Sequence, residues 1–174
     1  NTGGAGNVTL SNLTFESNYQ QAQVRTKGTI SADRITARQS SSTSGVDLMV
    51  EDNLVKAVSV SRSLFDYCGT FGLKVVTSGP VTLNNLSAFN NSTDGVWVDN
   101  SGGGSLQPVT LLGSFGQNTF SNNWNTGLRI KSGGRISVAR IIANENTVRG
   151  IMLETDNPLG VAVSGVVAKN NSGG

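Results

Sequence analysis

Apolar residues along this chain recur in short i, i+2 pairs, not at helical spacing. In the stretch from Ile136 to Leu153 the pairs are Ile136/Val138, Ile141/Ala143 and Ile151/Leu153. Side chains alternate faces along a strand, so each pair predicts a short strand with one buried face. Asn146 follows the second pair by three residues, and Gly150 stands just before the third. Three strands and three bends make one closed coil. The first strand of that coil recurs at Val8, Ile30, Val58, Val81, Val109, Ile136 and Val161. Successive starts are spaced by roughly 22 to 28 residues, a period expected of a solenoid. The second strand reads Leu13/Phe15, Ile35/Ala37, Ser63/Phe65, Leu86/Ala88, Ile141/Ala143 and Val166/Ala168. In the fifth coil an insertion from Leu112 to Gln117 delays this strand, and Phe120 takes the place of Phe15. The third strand is Gly-apolar-x-apolar at Gly45, Gly72, Gly95, Gly127 and Gly150; the first coil lacks the glycine and is ambiguous around Gln23 to Thr26.

A single coil cannot bury its own apolar face, but a stack of coils can. One predicted interior column runs Phe15, Ala37, Phe65, Ala88, Phe120, Ala143, Ala168. Large residues mostly alternate with small ones, which lets layers interdigitate. Three residues further on comes a polar column: Asn18, Ser40, Cys68, Asn91, Asn123, Asn146, Asn171. Stacked amides can donate and accept along such a column, which predicts an asparagine ladder within the bend, with Cys68 as a buried substitute. The glycines predict a bend with unusual backbone angles. The expected fold is therefore all-β: a single-stranded parallel β-helix of about seven rungs, three short strands per rung, filling residues 1–174 as one domain.

The motif A-x-x-N-x-x-x-G-[VIL]-x-[VIL], seen from Ala88 to Val98 and from Ala143 to Leu153, resembles the repeats of right-handed parallel β-helix proteins of the pectate-lyase-like superfamily. The resemblance covers nearly the whole chain and implies the hand of the coil. It does not imply one function, because lyases, hydrolases, tailspikes, adhesins and large bacterial surface proteins share the pattern.

Composition agrees with a turn-rich β chain: 22 glycines, 3 prolines, no histidine and 36% hydrophobic residues. The net charge of +2 is scattered, which argues against a nucleic-acid partner. No apolar run approaches membrane-spanning length. One cysteine excludes an internal disulfide, and without histidine no Ser/His or Cys/His catalytic pair exists.

Chemistry must then be sought in outward columns, where neighbouring coils bring residues together. One third-strand column is Asp47, Lys74, Trp97, Arg129, Met152, and the next is Met49, Val76, Asp99, Lys131, Glu154. Lys74 is placed to pair with Asp47, and Arg129 to lie over Trp97. Trp97, Arg129, Lys74, Asp99 and Lys131 form a candidate saccharide-binding strip, with the indole stacking on a sugar ring. The competing reading is a solvated face whose charges alternate in sign. A first-strand column (Thr9, Ser31, Ser59, Thr82, Thr110, Ser137, Ala162) is nearly all hydroxyl; its flank (Ser11, Asp33, Ser61, Asn84, Leu112, Ala139, Ser164) is too mixed for an ice-binding array.

The resemblance to polysaccharide lyases and hydrolases raises an enzyme reading. The 11 acidic residues are spread so that most outward columns hold one acid per coil or none. No carboxylate pair is placed for glycoside cleavage, so no catalytic residue is assigned. No cofactor is expected; Glu51, Asp52 and Asp156 would bind calcium at most weakly. Asn7, Asn12, Asn85, Asn90, Asn91 and Asn170 head glycosylation sequons, and glycosylation of Asn91 would conflict with the ladder. Neither end carries an amphipathic cap. The chain is expected either to be part of a longer repeat protein or to stack end to end as a fibre protomer. The leading expectation is an extracellular or cell-surface structural module (fibre, sheath, stalk or adhesin); the alternative is a carbohydrate-binding or carbohydrate-active β-helix.

Overall fold

A computed structural model describes residues 5–104, 106–114 and 116–173. The chain winds as a parallel solenoid, with two sheets running along its length. The first sheet is built from β1 (Val8–Glu16), β3 (Ile30–Ser40), β5 (Val58–Cys68), β7 (Val81–Phe89), β9 (Val109–Leu112), β10 (Asn118–Ser121), β12 (Ile136–Asn144) and β14 (Val161–Lys169). The second holds β2 (Ala22–Thr26), β4 (Val46–Val50), β6 (Leu73–Val76), β8 (Val96–Asp99), β11 (Thr126–Ser132) and β13 (Arg149–Thr155). Six coils carry both sheets, and β14 adds a seventh pass of the first. Among the described residues the only helical piece is one 3-10 turn, Gly102–Gly104.

The expected first and second strands are one hydrogen-bonded strand, bent at a single residue. The bend falls at Asn12, Arg34, Arg62, Asn85 and Arg140, with φ from 49° to 54°, and at Gly165. Pairing between β1 and β3 resumes on either side of it, Ser11 with Asp33 and Leu13 with Ile35. The bend leaves a donor to satisfy. Ser63 Oγ of the next coil accepts the N–H of Ile35 at 3.1 Å, and Asn118 Oδ1 accepts that of Leu86 at 3.0 Å. These two polar residues interrupt an otherwise apolar interior column for that reason. In the fifth coil the insertion splits the bent strand into β9 and β10, and Phe120 still lands beside Ala88.

The interior column forms as the pattern predicts: Phe15 pairs with Ala37, Ala37 with Phe65, Phe65 with Ala88, and Ala143 with Ala168. Phe65 and Phe120 are fully buried. The first coil's third strand settles at Ala22–Thr26, with Gln21 standing where the other coils have glycine.

The ladder follows in the next bend. Asn91 Nδ2 donates to Asn123 Oδ1 at 2.9 Å, Asn123 Nδ2 to Asn146 Oδ1 at 2.9 Å, and Asn146 Nδ2 to Asn171 Oδ1 at 3.0 Å. The same oxygens accept the backbone N–H one coil back, and Asn91 Oδ1 accepts that of Cys68. Asn18 stands apart: it is exposed at the first coil, beside Ser40, whose hydroxyl bonds to the Thr43 carbonyl instead. Cys68 has no amide to pass the bond on, so the ladder ends at its backbone N–H. Each ladder position follows a residue in the left-handed region, from Ser17 to Asn170, with φ from 53° to 58°.

The glycines before the third strand are needed for a different reason than unusual angles. None of the five has a positive φ. A Cβ on Gly95 would lie 2.6 Å from the Gly127 carbonyl oxygen and 2.8 Å from Asn123 Nδ2. The next coil's ladder amide fills the space a side chain would need. The remaining corner carries a hydroxyl device that the pairwise pattern does not reveal. Thr26, Thr77 and Thr155 accept the N–H two residues on and donate to a carbonyl one coil back. Ser132 accepts in the same way, from Gly134.

Gly95→Ala should cost about 1–3 kcal/mol in urea unfolding, whereas Gly116→Ala, with its nearest neighbour at 3.6 Å, should stay within about 0.5 kcal/mol. Burial pushes the Cys68 thiol up to about 12. Native Cys68 should therefore resist alkylation at mildly alkaline pH and react once unfolded. Because the folded thiol holds its proton more tightly, it contributes stability below its unfolded value of about 9 that is lost as pH rises from there toward 12. The stability advantage of the natural chain over Cys68→Ala should shrink across that window, read by chemical denaturation.

Candidate functional site

The third-strand face presents its outward side chains in the expected columns. Register runs Gln23, Asp47, Lys74, Trp97, Arg129, Met152 in one, and Arg25, Met49, Val76, Asp99, Lys131, Glu154 in the other. Within the first column the structure brings Lys74 and Trp97 together. Lys74 Nζ lies 5.1 Å from the centroid of the indole ring. Phe71 also stacks on Trp97, with centroids 5.0 Å apart and planes at 29°. The cation over Trp97 is thus Lys74 and not Arg129. No ion pair joins Lys74 to Asp47 among the described residues; Asp47 Oδ2 instead accepts from Gln23 Nε2 at 3.3 Å.

Arg129 Nε is buried without a partner among the described residues; its charge acts on Asp94, a 1% exposed residue of the bend just before Gly95. Asp94 Oδ1 accepts the N–H of Thr126 at 3.0 Å. Burial pushes the Asp94 carboxyl above its usual range, opposed by the Thr126 bond and by Arg129. In the second column Asp99 is held by its own turn, accepting from the N–H and hydroxyl of Ser101 at 3.0 and 2.7 Å. Lys131 is exposed beside it.

Phe71 and Asp94 escaped the sequence reading. Both occupy the position before a third-strand glycine, the column Ser44, Phe71, Asp94, Thr126, Arg149; the carbonyls of Phe71, Asp94 and Thr126 accept the glycine N–H of the preceding coil. The position looks like turn in one coil; only alignment of all coils shows that it lies next to the Trp97 column.

Beside the aromatic pair opens a groove of about 260 Å³, walled by residues 20–23, 42–44 and 70–71 together with Asp47 and Lys74. Elsewhere the acids are engaged singly. Arg62 holds Asp33 through two bonds of 2.8 and 2.7 Å, and this contact, with Ser61, holds the Asp33 carboxyl below its usual range. Asp52 pairs with Lys27 at 2.7 Å. Asp52 and Asp156 lie four coils apart, and no group of three or more metal-ligating side chains occurs among the described residues.

The parallel register of every pair and the continuous ladder fit one architecture. A family model described as right handed beta helix region matches residues 1–110. The chain belongs to the right-handed beta helix family. No curated protein and no solved structure matches it. The family membership explains the scaffold and leaves the outward columns, which vary freely on it, to carry whatever is particular to this member of the β-helix family.

Trp97→Ala should lower stability by about 1–3 kcal/mol, since it removes both the Phe71 stack and the Lys74 contact. Trp124, 74% exposed, should tolerate alanine within about 0.5 kcal/mol. Denaturant midpoints of the two variants test the difference.

Proposed function

We propose that this β-helix is a rigid structural module of an extracellular or cell-surface assembly, a fibre, sheath, stalk or adhesin, that associates end to end or continues into further coils. The observation that carries this reading is the complementarity of its two end coils in the native register. The interior residues Val161 and Val163 of β14 are 42% and 55% exposed, and Val8, Leu10, Leu13 and Phe15 of β1 are only partly buried. Setting β1 of another copy on β14, with the pairing used throughout, lays Val8 on Val161, Leu10 on Val163 and Leu13 on Val166. Phe15 then falls on Ala168, extending the alternation of large and small, and Asn18 reaches Asn171 to prolong the ladder.

An outward column matches as well. The column of Glu16, Arg38 and Asp66 ends in Lys169, so the next copy's Glu16 would meet a lysine. Opposite charges across a parallel pair favour this register, and a like-charge meeting would oppose it. An extracellular setting is supported by the likeness to β-helical surface proteins and by sequon asparagines Asn7 and Asn12 on the exposed surface.

The second reading, a carbohydrate-binding β-helix, is favoured by the Lys74–Trp97–Phe71 cluster. Catalysis finds less support, since Asp33 and Asp52 are taken up by cations, Asp99 by its own turn, and Asp94 is buried.

Sedimentation velocity and electron microscopy at rising concentration test the leading reading. The natural chain should form linear assemblies that weaken with salt. Glu16→Lys and Lys169→Glu should each weaken association about tenfold, and the double exchange should restore it. A chain that stays monomeric at concentrations on the order of 1 mM would defeat the self-association.

A further inference from the structure

We propose that the groove beside Phe71 is a binding site for a neutral oligosaccharide, held by its hydroxyls on Asp47 and Gln21 and by a ring face on Phe71. This rests on the carbohydrate-binding reading and assigns it a place and a ligand chemistry. The groove lies where the bend residues 20–23, 42–44 and 70–71 meet the outward third-strand side chains Asp47 and Lys74. Three of its features point to the same kind of ligand.

The first is unspent hydrogen-bonding capacity. Gln21 is 9% exposed, and its Nε2 donates to the Arg38 carbonyl. Its Oε1 is buried and has no partner among the described residues, and the same holds for Asp47 Oδ1. A buried acceptor without a donor is unfavourable. Both atoms belong to residues lining the groove, so a ligand entering there with hydroxyl donors supplies what they lack once the covering side chains turn aside. The second is the aromatic wall. Phe71 stacks on Trp97, which steadies a ring whose flat apolar face suits the C–H face of a sugar ring. The third is charge. Asp47 and Lys74 are register neighbours in the lining, so an ionic ligand that gains from one loses on the other. Thr43, Thr70 and Gln23 add further neutral donors and acceptors.

The groove is open and runs across coils, which suits a chain of sugars more than a small enclosed ligand. Its lining holds one carboxylate, Asp47, so binding and not hydrolysis is the expected outcome.

Fluorescence provides the test, because the chain has two tryptophans and one can be silenced. In a Trp124→Phe background, Trp97 reports directly on the ring it braces. The intact module is titrated with linear hexasaccharides of β-linked glucose, α-linked glucose, β-linked mannose and β-linked N-acetylglucosamine. At least one should shift Trp97 emission to saturation. Asp47→Ala and Phe71→Leu should each weaken that binding about tenfold, with circular dichroism and the unfolding midpoint confirming that both variants fold. If no hexasaccharide moves Trp97 emission, the groove assignment and the carbohydrate reading fall together. If a sugar binds the natural chain and both variants with equal affinity, it binds elsewhere; the groove assignment then falls and the carbohydrate reading survives.

Discussion

Neighbouring coils lie one strand spacing apart, about 4.8 Å, and every column of this module is a consequence of that closeness. At such a distance a residue meets its equivalent in the next coil before it meets anything else. A phenylalanine therefore needs a small partner, as Phe65 has in Ala37 and Ala88. A glycine is required wherever the next coil's polar group already fills the Cβ position. The ladder and the third-strand glycines are thus one device: Asn123 can reach back to the Ala88 carbonyl at 3.2 Å and up to Asn146 only because Gly95 leaves room for its amide. Removing either partner undoes the other.

The same closeness lets strained corners persist. Arg34, Arg62, Tyr67, Arg140 and Glu145 all adopt a left-handed backbone that such residues usually avoid. Each costs energy locally. Each is held because the strand segments before and after it are fixed by ladders to two neighbouring coils, which over-determine the angle between them. What selects these corners is the stack and not the corner residue.

That distinction separates what could be read in the sequence from what could not. Inward positions were legible because burial imposes apolar character at period two, and the coil period aligns them; hence Phe120 was placed correctly despite the insertion before it. The bent corners were not legible, because arginine and glutamate carry no mark of a left-handed conformation. The glycine columns were found but misread, since glycine signals both positive φ and close approach, and only the distance to the next coil decides between them. In the outward columns, register fixed which residues are neighbours but not which neighbour a long side chain chooses. Lys74 sits between Asp47 and Trp97 and turns to the ring, while Arg129, the ring's other neighbour in register, acts on Asp94 through its charge. Asn18 fits the ladder by spacing alone; Cys68 and Ser40, which carry no amide, break the chain before it arrives.

An outward residue on a β-helix is constrained chiefly by the residues directly above and below it. A binding surface can therefore be assembled on one face without disturbing the interior, provided charges and ring faces agree along the column. The region from Gln21 to Trp97 departs from the indifferent pattern of a solvated face in a specific way. Its cation is spent on an aromatic ring, its carboxylate keeps one oxygen unpaired, and the glutamine that stands in for a glycine buries an unpaired carbonyl beside it. Two buried unpartnered acceptors fall beside the aromatic wall, and that coincidence, not any single residue, is what favours the proposed recess over the ordinary outside of a solenoid.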